Sequence, residues 1–464
     1  MGCDVFGGRV KRIHLVGIGG SGMCGIAEVL LGHSFDVSGS DLRASDVTKY
    51  LQTKGAQMFI GHHAEHVRGA DVVVFSSAVA RTNPELERAR SWAIPVIPRA
   101  EMLAELMRLK DGIAIAGSHG KTTTTSFIAT VLRAAKLDPT VIIGGRLNAL
   151  GSSANCGSGD IMVAEADESD GSFLRLAPSI AVITNIDPEH LDYYGDYAHV
   201  KQAFAQFAKG VPFYGSVVAC LDHPGVQSIL PDIDKRIATY GLTAQADYRA
   251  RHPEVNGLSM RFEVVRHGES LGHYAVRMPG NHNVLNALAA IAVADAVGVN
   301  QEIVKHALTT FEGVARRFSV VGEANQVTVI DDYGHHPAEI RATLEAAQRA
   351  YGRRLLVVFQ PHRYTRTRDL FEELSQAFNA ADVLWVTDIY GAGEEPLQGV
   401  DANALVQAIQ AHGHRDVSHL AASGSLADSV VKRAQAGDIV ITLGAGNITR
   451  LAPEILQALH SQKF

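Results

Sequence analysis

Short, uninterrupted apolar runs recur along this chain, many of them closed by Gly or Asp and followed by helical periodicity. They lie at 13–16, 72–75, 113–116, 161–164, 181–184, 355–359 and 439–442. A run with no polar alternation is buried on both faces, which is the mark of a parallel sheet covered by crossover helices. The expected class is therefore α/β. At roughly 150 residues per domain, 464 residues suggest about three domains. Two breaks divide the chain accordingly. The helical stretch 99–110 stops at Asp111-Gly112 before a new strand, and the helical run 285–311 stops at Glu312-Gly313. The expected segments are 1–110, 111–312 and 313–464.

Composition narrows the function. The net charge is −7, which argues against nucleic acid as a partner and leaves room only for a local basic pocket. The four cysteines, Cys3, Cys24, Cys156 and Cys220, form no CxxC pair. They suit a reducing cytosol better than a disulfide framework or zinc knuckle. No apolar run reaches membrane-spanning length, so no membrane insertion is expected. The opening residues do not read as a signal peptide, and Phe6 stands where a myristoylation signal needs Ser or Thr.

Two glycine loops carry the chemistry. Gly17-Ile18-Gly19-Gly20-Ser21-Gly22 follows the first apolar run and opens a helix. Glycines let the backbone approach a diphosphate, and the helix N-terminus adds amide donors. Asp41, 19 residues beyond Gly22, is suited to a ribose hydroxyl. Any nucleotide diphosphate fits this pattern. The second loop, Gly117-Ser118-His119-Gly120-Lys121-Thr122, sits between the run 113–116 and a helix. It is a shortened phosphate loop, with Ile115 where a full one carries Gly. Its amides would cradle phosphates, Lys121 would reach the β/γ-phosphates, and Thr122 would ligate Mg²⁺.

Further polar clusters stand where apolar runs end. Glu165-Ala166-Asp167-Glu168-Ser169-Asp170 puts four acids in six residues, with Glu165 the best placed for Mg²⁺. His190 lies in Asn185-Ile186-Asp187-Pro188-Glu189-His190; alone it reads as a capped surface histidine, and beside a GKT loop as a metal or phosphate contact. Asn283 and Asn286, with His282, open an Ala-rich helix and suit either a cap or an adenine edge. Arg316, Asp331, Tyr333, His335, Arg363 and Arg366 lie in three further clusters that suggest an anionic ligand.

Taken in order, GIGGSGM, GSHGKTTT, EADESD, NIDPEHLD, PGNHNVLNA, ARRF, DDYGHHP and FQPHRYTRT resemble the Mur ligases of bacterial peptidoglycan synthesis, and within them the alanine-adding branch. The resemblance runs from Ile13 to about Leu451. It implies a Rossmann-like N-terminal domain for a UDP-substrate, a central P-loop-type ATPase domain with a mostly parallel sheet, and a Rossmann-like C-terminal domain serving the amino acid and ATP. It implies that Gly17, Gly19, Gly20, Ser21, Gly22, Asp41, His62 and Ser76 hold the UDP-sugar. Gly117, Ser118, His119, Gly120, Lys121, Thr122, Thr123, Asn283, Asn286, Arg316 and Asp331 would bind ATP. Thr122 and Glu165 would hold one Mg²⁺ and His190 a second, with Mn²⁺ as a substitute. Tyr333, His335, Arg363 and Arg366 would surround alanine, with Lys121, Glu165, His190 and His335 catalytic.

The activity so implied is ATP-dependent ligation of L-alanine to the lactyl carboxylate of UDP-N-acetylmuramate through an acyl phosphate, in the cytoplasm, by a monomer or homodimer. Branches adding later peptide units carry a carbamylated lysine at the position of Phe204, and the alanine-adding branch does not. A ligase that reattaches a recycled tripeptide is the neighbouring alternative. A non-catalytic UDP-sugar sensor would need a missing catalytic part. A dehydrogenase would leave the GKT loop idle.

Overall fold

A computed structural model of the chain describes residues 5–76, 78–147, 152–420 and 425–461. It contains three sheets. The first is wholly parallel, in the order β3-β2-β1-β4-β5. Its strands are β1 (Arg12–Val16), β2 (Asp36–Asp41), β3 (Gln57–Ile60), β4 (Val72–Phe75) and β5 (Val96–Pro98), and its helices α1 (Ser21–Gly32), α2 (Asp46–Thr53), α3 (Pro84–Ser91) and α4 (Arg99–Met107).

The second sheet runs β15-β14-β13-β12-β11-β10-β6-β9-β7-β8. Its strands are β6 (Asp111–Ala116), β7 (Thr140–Leu147), β8 (Ser152–Asn155), β9 (Ile161–Glu165), β10 (Ile180–Ile183), β11 (Ser216–Cys220), β12 (Ile237–Gly241), β13 (Tyr248–Asn256), β14 (Ser259–Arg266) and β15 (Glu269–Val276). Its helices are α5 (Lys121–Ala134), α6 (Leu191–Tyr194), α7 (Tyr197–Lys209), α8 (Pro224–Ile229), α9 (Asn281–Val297) and α10 (Gln301–Thr309).

The third sheet, β16-β17-β21-β18-β19-β20, is parallel except for β16 against β17. It comprises β16 (Ser319–Ala324), β17 (Val327–Asp332), β18 (Leu355–Phe359), β19 (Val383–Thr387), β20 (Val417–Leu420) and β21 (Ile439–Leu443), with α11 (Pro337–Tyr351) and α12 (Tyr364–Asp369) among its helices.

Each apolar run noted above coincides with a strand of these sheets, the one at 181–184 running one residue past β10, and the central ones are sealed: every residue of β10, β17, β18 and β21 is buried. Strand order explains the polar clusters. In an open parallel sheet, ligands bind where the carboxyl ends emerge. β10, β6 and β9 are adjacent and parallel, so the segments after them share one sheet edge. β17, β21 and β18 do the same in the third sheet.

Two details differ from the sequence reading. The helical run 285–311 is two helices, parted where Gly298 takes φ +83° and the Asn300 side chain accepts the Glu302 N–H to cap α10. Strands β13 to β15, which extend the second sheet, do not follow the strand–loop–helix rhythm and were not anticipated. The chain divides into two compact units: Met1–His252 with Phe262–Tyr274 and Leu285–Glu312, and Pro253–Arg261 with Ala275–Val284 and Gly313–Phe464.

Candidate active site

In the first unit, the loop after β1 is held by its neighbours. The Ser40 carbonyl accepts from Gly17 and Ile18 N–H at 2.9 and 3.1 Å. The Asp41 carboxylate accepts from Gly19 N–H at 2.9 Å. Asp41 therefore shapes the glycine loop, a role its ribose assignment did not include. Gly20 caps α1, and Ser76 packs against Gly17. The side chain of Ser21 lies outside what the structure describes. Arg99, absent from the sequence reading, lies against Gly22 and pairs with Asp167 at 3.1 Å. Nothing in a lone arginine opening a helix signals this contact; only the fold brings it to the loop.

The loop between β6 and α5 is clamped by the segment after β10. Gly117 takes φ +142°, and a Cβ there would collide with Thr184 Oγ1. Gly120, at φ +80°, caps α5, and a Cβ would meet Asn286 Oδ1 at 2.7 Å. Both positions demand glycine for conformation and for space. The His119 N–H donates to Asn185 Oδ1 at 2.7 Å, while its carbonyl accepts from Asn185 Nδ2 and Thr184 Oγ1. Ser118 Oγ accepts from the Asp187 N–H at 2.8 Å. The His119 ring lies 3.2 Å from Asp187, which also meets His223 at 3.3 Å. Thr122 and Thr123 are buried in the first turn of α5, and Asn286 accepts from Thr124 Oγ1 at 3.1 Å. The helix starts at Lys121, so its first-turn amides face the loop with no acidic side chain among them, as an anion site requires.

Lys121 Nζ lies 2.7 and 2.8 Å from the two oxygens of Glu168 and also donates to the Gly117 carbonyl. Burial opposes the charge on Lys121, but Glu168, Asp167 and Glu189 outweigh it and raise its pKa. It stays cationic. Glu168, Glu189 and His190 bring one ligand atom each within 4.8 Å of one another. Two carboxylates and an imidazole form a donor set that suits Mg²⁺ or Mn²⁺. His190 sits at φ +56° as the cap of α6, half-buried. Glu165 is the last residue of β9, paired in register with Ile115, and is not part of that group. The sequence named His190 as a metal candidate but not Glu168 and Glu189, which lie beside it. Phe204 is fully buried in α7 with its ring 5.3 Å from Phe173, and supplies no ligand.

In the second unit, Asp331 is the last residue but one of β17 and accepts from Thr442 and Thr449 hydroxyls at 2.7 and 2.6 Å. Arg316 lies 3.7 Å from Asp331 and donates to the Gly444 and Gly446 carbonyls. The Arg316 and Arg317 guanidinium groups both lie over the Tyr333 ring, at 4.8 and 4.9 Å. His335 Nδ1 is 3.1 Å from the Tyr333 carbonyl and 3.4 Å from Glu339. The Asn283 amide donates to the Pro279 carbonyl at 2.8 Å, a local structural bond.

Arg363 and Arg366, three residues apart, do not share a helix face: Arg363 precedes α12 as its cap, at φ +70°, and only Arg366 is helical. Nη1 of the Arg366 guanidinium faces His362, whose Nδ1 and carbonyl it meets at 3.1 and 3.4 Å. Burial, then Arg366 and His335, push the His362 pKa down to about 3. His362 is therefore neutral, its Nδ1 free to accept from Arg366.

Comparison with known proteins agrees with this geometry. Residues 12–111 match the Mur ligase family catalytic domain, 115–294 the Mur ligase middle domain, and 316–446 the Mur ligase glutamate ligase domain. A UDP-N-acetylmuramate–L-alanine ligase of Sorangium cellulosum is 60% identical over 447 residues, covering 96% of this chain and 95% of that one. One of Myxococcus xanthus is 56% identical over 453 residues, covering 98% and 96%. The crystal structure of the UDP-N-acetylmuramate–alanine ligase of Thermotoga maritima superposes with a TM-score of 0.82 at 29% identity, covering 97% of this chain and all of that one. The fold is thus a three-domain α/β fold.

Proposed function

Because this chain belongs to the Mur ligase family, we propose that it joins L-alanine to the lactyl carboxylate of UDP-N-acetylmuramate, driven by ATP, in peptidoglycan precursor synthesis. The observation that carries this is the 60% identity to an alanine ligase over 96% of the chain, in a protein whose phosphate loop keeps Lys121 beside its acidic group.

A carboxylate does not condense with an amine in water without activation. The γ-phosphoryl group passes from ATP to a lactyl carboxylate oxygen, leaving ADP. The alanine amine attacks the acyl carbon of the resulting acyl phosphate. The tetrahedral adduct then expels inorganic phosphate and leaves the amide. The first step brings two anions together. Lys121 and the amides opening α5 offset that repulsion and steady charge moving onto ADP. Mg²⁺, when bound, supplies further positive charge at the same place. In this reading Thr122 and Glu165 hold one ion and His190, with Glu168 and Glu189, a second; Mn²⁺ suits both donor sets.

The Gly17–Gly22 loop, Asp41, His62 and Ser76 hold the UDP-sugar. Gly117 to Thr123, Asn283, Asn286, Arg316 and Asp331 bind ATP. Tyr333, His335, Arg363 and Arg366 surround alanine, with His335 the candidate base. The three domains are 1–110, 111–312 and 313–464, and the enzyme works in the cytoplasm, where its nucleotide substrates are, as a monomer or homodimer. No helix among the described residues is long and apolar enough to cross a membrane.

The test is phosphate release with ATP, Mg²⁺ and UDP-N-acetylmuramate across L-alanine, glycine, L-serine and a cell-wall tripeptide. Alanine should give the highest kcat/KM. Preference for the tripeptide would make this the recycling ligase, and no amino-acid-dependent release would make it a sensor.

A further inference from the structure

The first unit holds a buried carboxylate that the mechanism does not use. Glu85 opens α3 behind Pro84, and the Asn83 side chain accepts its backbone N–H at 2.9 Å. This capping turn aims the Glu85 side chain inward, where none of it is exposed. Oε2 accepts from the Ser40 hydroxyl at 2.6 Å and lies 3.2 Å from His62 Nδ1. Oε1 meets His66 Nδ1 at 2.7 Å and the His63 N–H at 3.3 Å. His14 Nε2 lies 3.7 Å from Oε2. Burial pushes the Glu85 carboxyl up, but the contacts of His14, Ser40 and His66 outweigh it and hold its pKa at about 2. Glu85 is an anion at neutral pH.

That anion orders the protons around it. The Ser40 hydroxyl has one hydrogen, and it points at Glu85. In the 3.0 Å contact between Ser40 Oγ and His62 Nδ1, Oγ is therefore the acceptor. Both neighbours of Nδ1 are acceptors, so Nδ1 carries the proton. In the Nδ1–H tautomer the lone pair of the ring is on Nε2. Ser40 is also the residue whose carbonyl takes the Gly17 and Ile18 amides. Carboxylate, hydroxyl, imidazole and glycine loop form one hydrogen-bonded unit. Within it Glu85 and His14 are sealed, while His62 keeps 14% of its side chain exposed.

We propose that Glu85 is a positioning residue of the UDP-sugar site: it locks His62 as the Nδ1–H tautomer, so that Nε2 accepts a hydrogen bond from a hydroxyl or imide N–H of the UDP-sugar. The inference rests on the reading that His62 touches that substrate.

A double-mutant cycle read by calorimetry separates the two claims. Binding of UDP-N-acetylmuramate is measured for wild type, H62A, E85Q and H62A/E85Q, with a non-hydrolysable ATP analogue as control. H62A and E85Q should each weaken UDP-N-acetylmuramate about ten-fold and leave the ATP analogue within two-fold. The double variant should be no weaker than H62A, because Glu85 acts through His62. Normal binding by H62A would overturn the site reading itself. Weak binding by H62A with normal binding by E85Q, or multiplied losses in the double variant, would overturn the role of Glu85 alone. A second measurement needs no variant. The ring ¹⁵N shifts of His62 in the wild-type protein should show a protonated Nδ1 and an unprotonated Nε2 that moves when UDP-N-acetylmuramate is added. The opposite tautomer refutes the proposal even if E85Q does not fold.

Discussion

Replacing Lys121 with Ala tests the ATP half of the site through two separable losses. Lys121 Nζ lies 2.7 and 2.8 Å from Glu168, whose side chain is only 4% exposed. Truncating one partner of a buried pair strands the other, at a cost of about 3 kcal/mol. K121A should lose that much stability in urea titrations. Turnover should fall by about 10³-fold or more, the effect of removing one charged donor of roughly 4 kcal/mol from a charge-shifting transition state. Burial already raises the Glu168 pKa to about 7, so without Lys121 the acid takes up a proton; K121A/E168Q removes that unpartnered acid, so it should regain most of the stability and remain inactive. Affinity for UDP-N-acetylmuramate should stay within two-fold in both variants, since the proposed site for that ligand is on the first sheet. If K121A keeps turnover within ten-fold of wild type, Lys121 does not steady the transferring phosphoryl group. If the double variant regains activity together with stability, the defect of K121A is structural only.

The remaining expectations are narrower. Glu85 has a folded pKa of about 2 against 4.5 for a free glutamate, so it contributes stability above pH 4.5 that is lost as the pH falls toward 2. The 2.5-unit gap corresponds to about 3 kcal/mol; wild type should lose that increment relative to E85Q in urea titrations across this window, and a constant gap would refute it. Phe204→Ala should destabilise by about 3–5 kcal/mol, the cost of emptying a fully buried aromatic site, and bicarbonate should not stimulate the wild-type enzyme at low pH. Glu189→Ala should raise the Mg²⁺ requirement for turnover; comparing it with Glu165→Ala tells whether the ion sits with the Glu168, Glu189 and His190 group or nearer Thr122. Arg363→Lys or Arg366→Lys should raise the KM for alanine by about ten-fold through loss of a bidentate fork, with the ATP KM unchanged; normal values in both would move the carboxylate clamp elsewhere.

The two glycine loops were legible from sequence because their geometry is local. A strand, a glycine turn and a helix start are consecutive in the chain, so Gly117, Gly120 and Lys121 declare themselves by spacing. The family motifs likewise singled out Asp331 and His190 as candidates. The ion-pair partner of Lys121 was not legible. Glu168 is one acid among four in EADESD, and spacing alone favoured Glu165, the residue nearest the strand. Rotation of the chain after β9 decides which carboxylate turns toward Lys121, and that depends on packing between β6 and β9.

What the sequence determined by itself was the class of fold and the number of domains. Apolar runs without polar alternation are buried on both faces of a parallel sheet, and the family motifs are consecutive stretches of chain. What tertiary structure alone decided was who meets whom. Arg99 reaches Gly22 and Asp167, and Asp187 joins His119 to His223. Glu85 gathers Ser40, His62 and His66 from separate segments. These contacts span tens of residues of chain. No local pattern encodes them, because charge pairing and hydrogen bonding act through space, and only the strand order of the sheets sets which segments are neighbours.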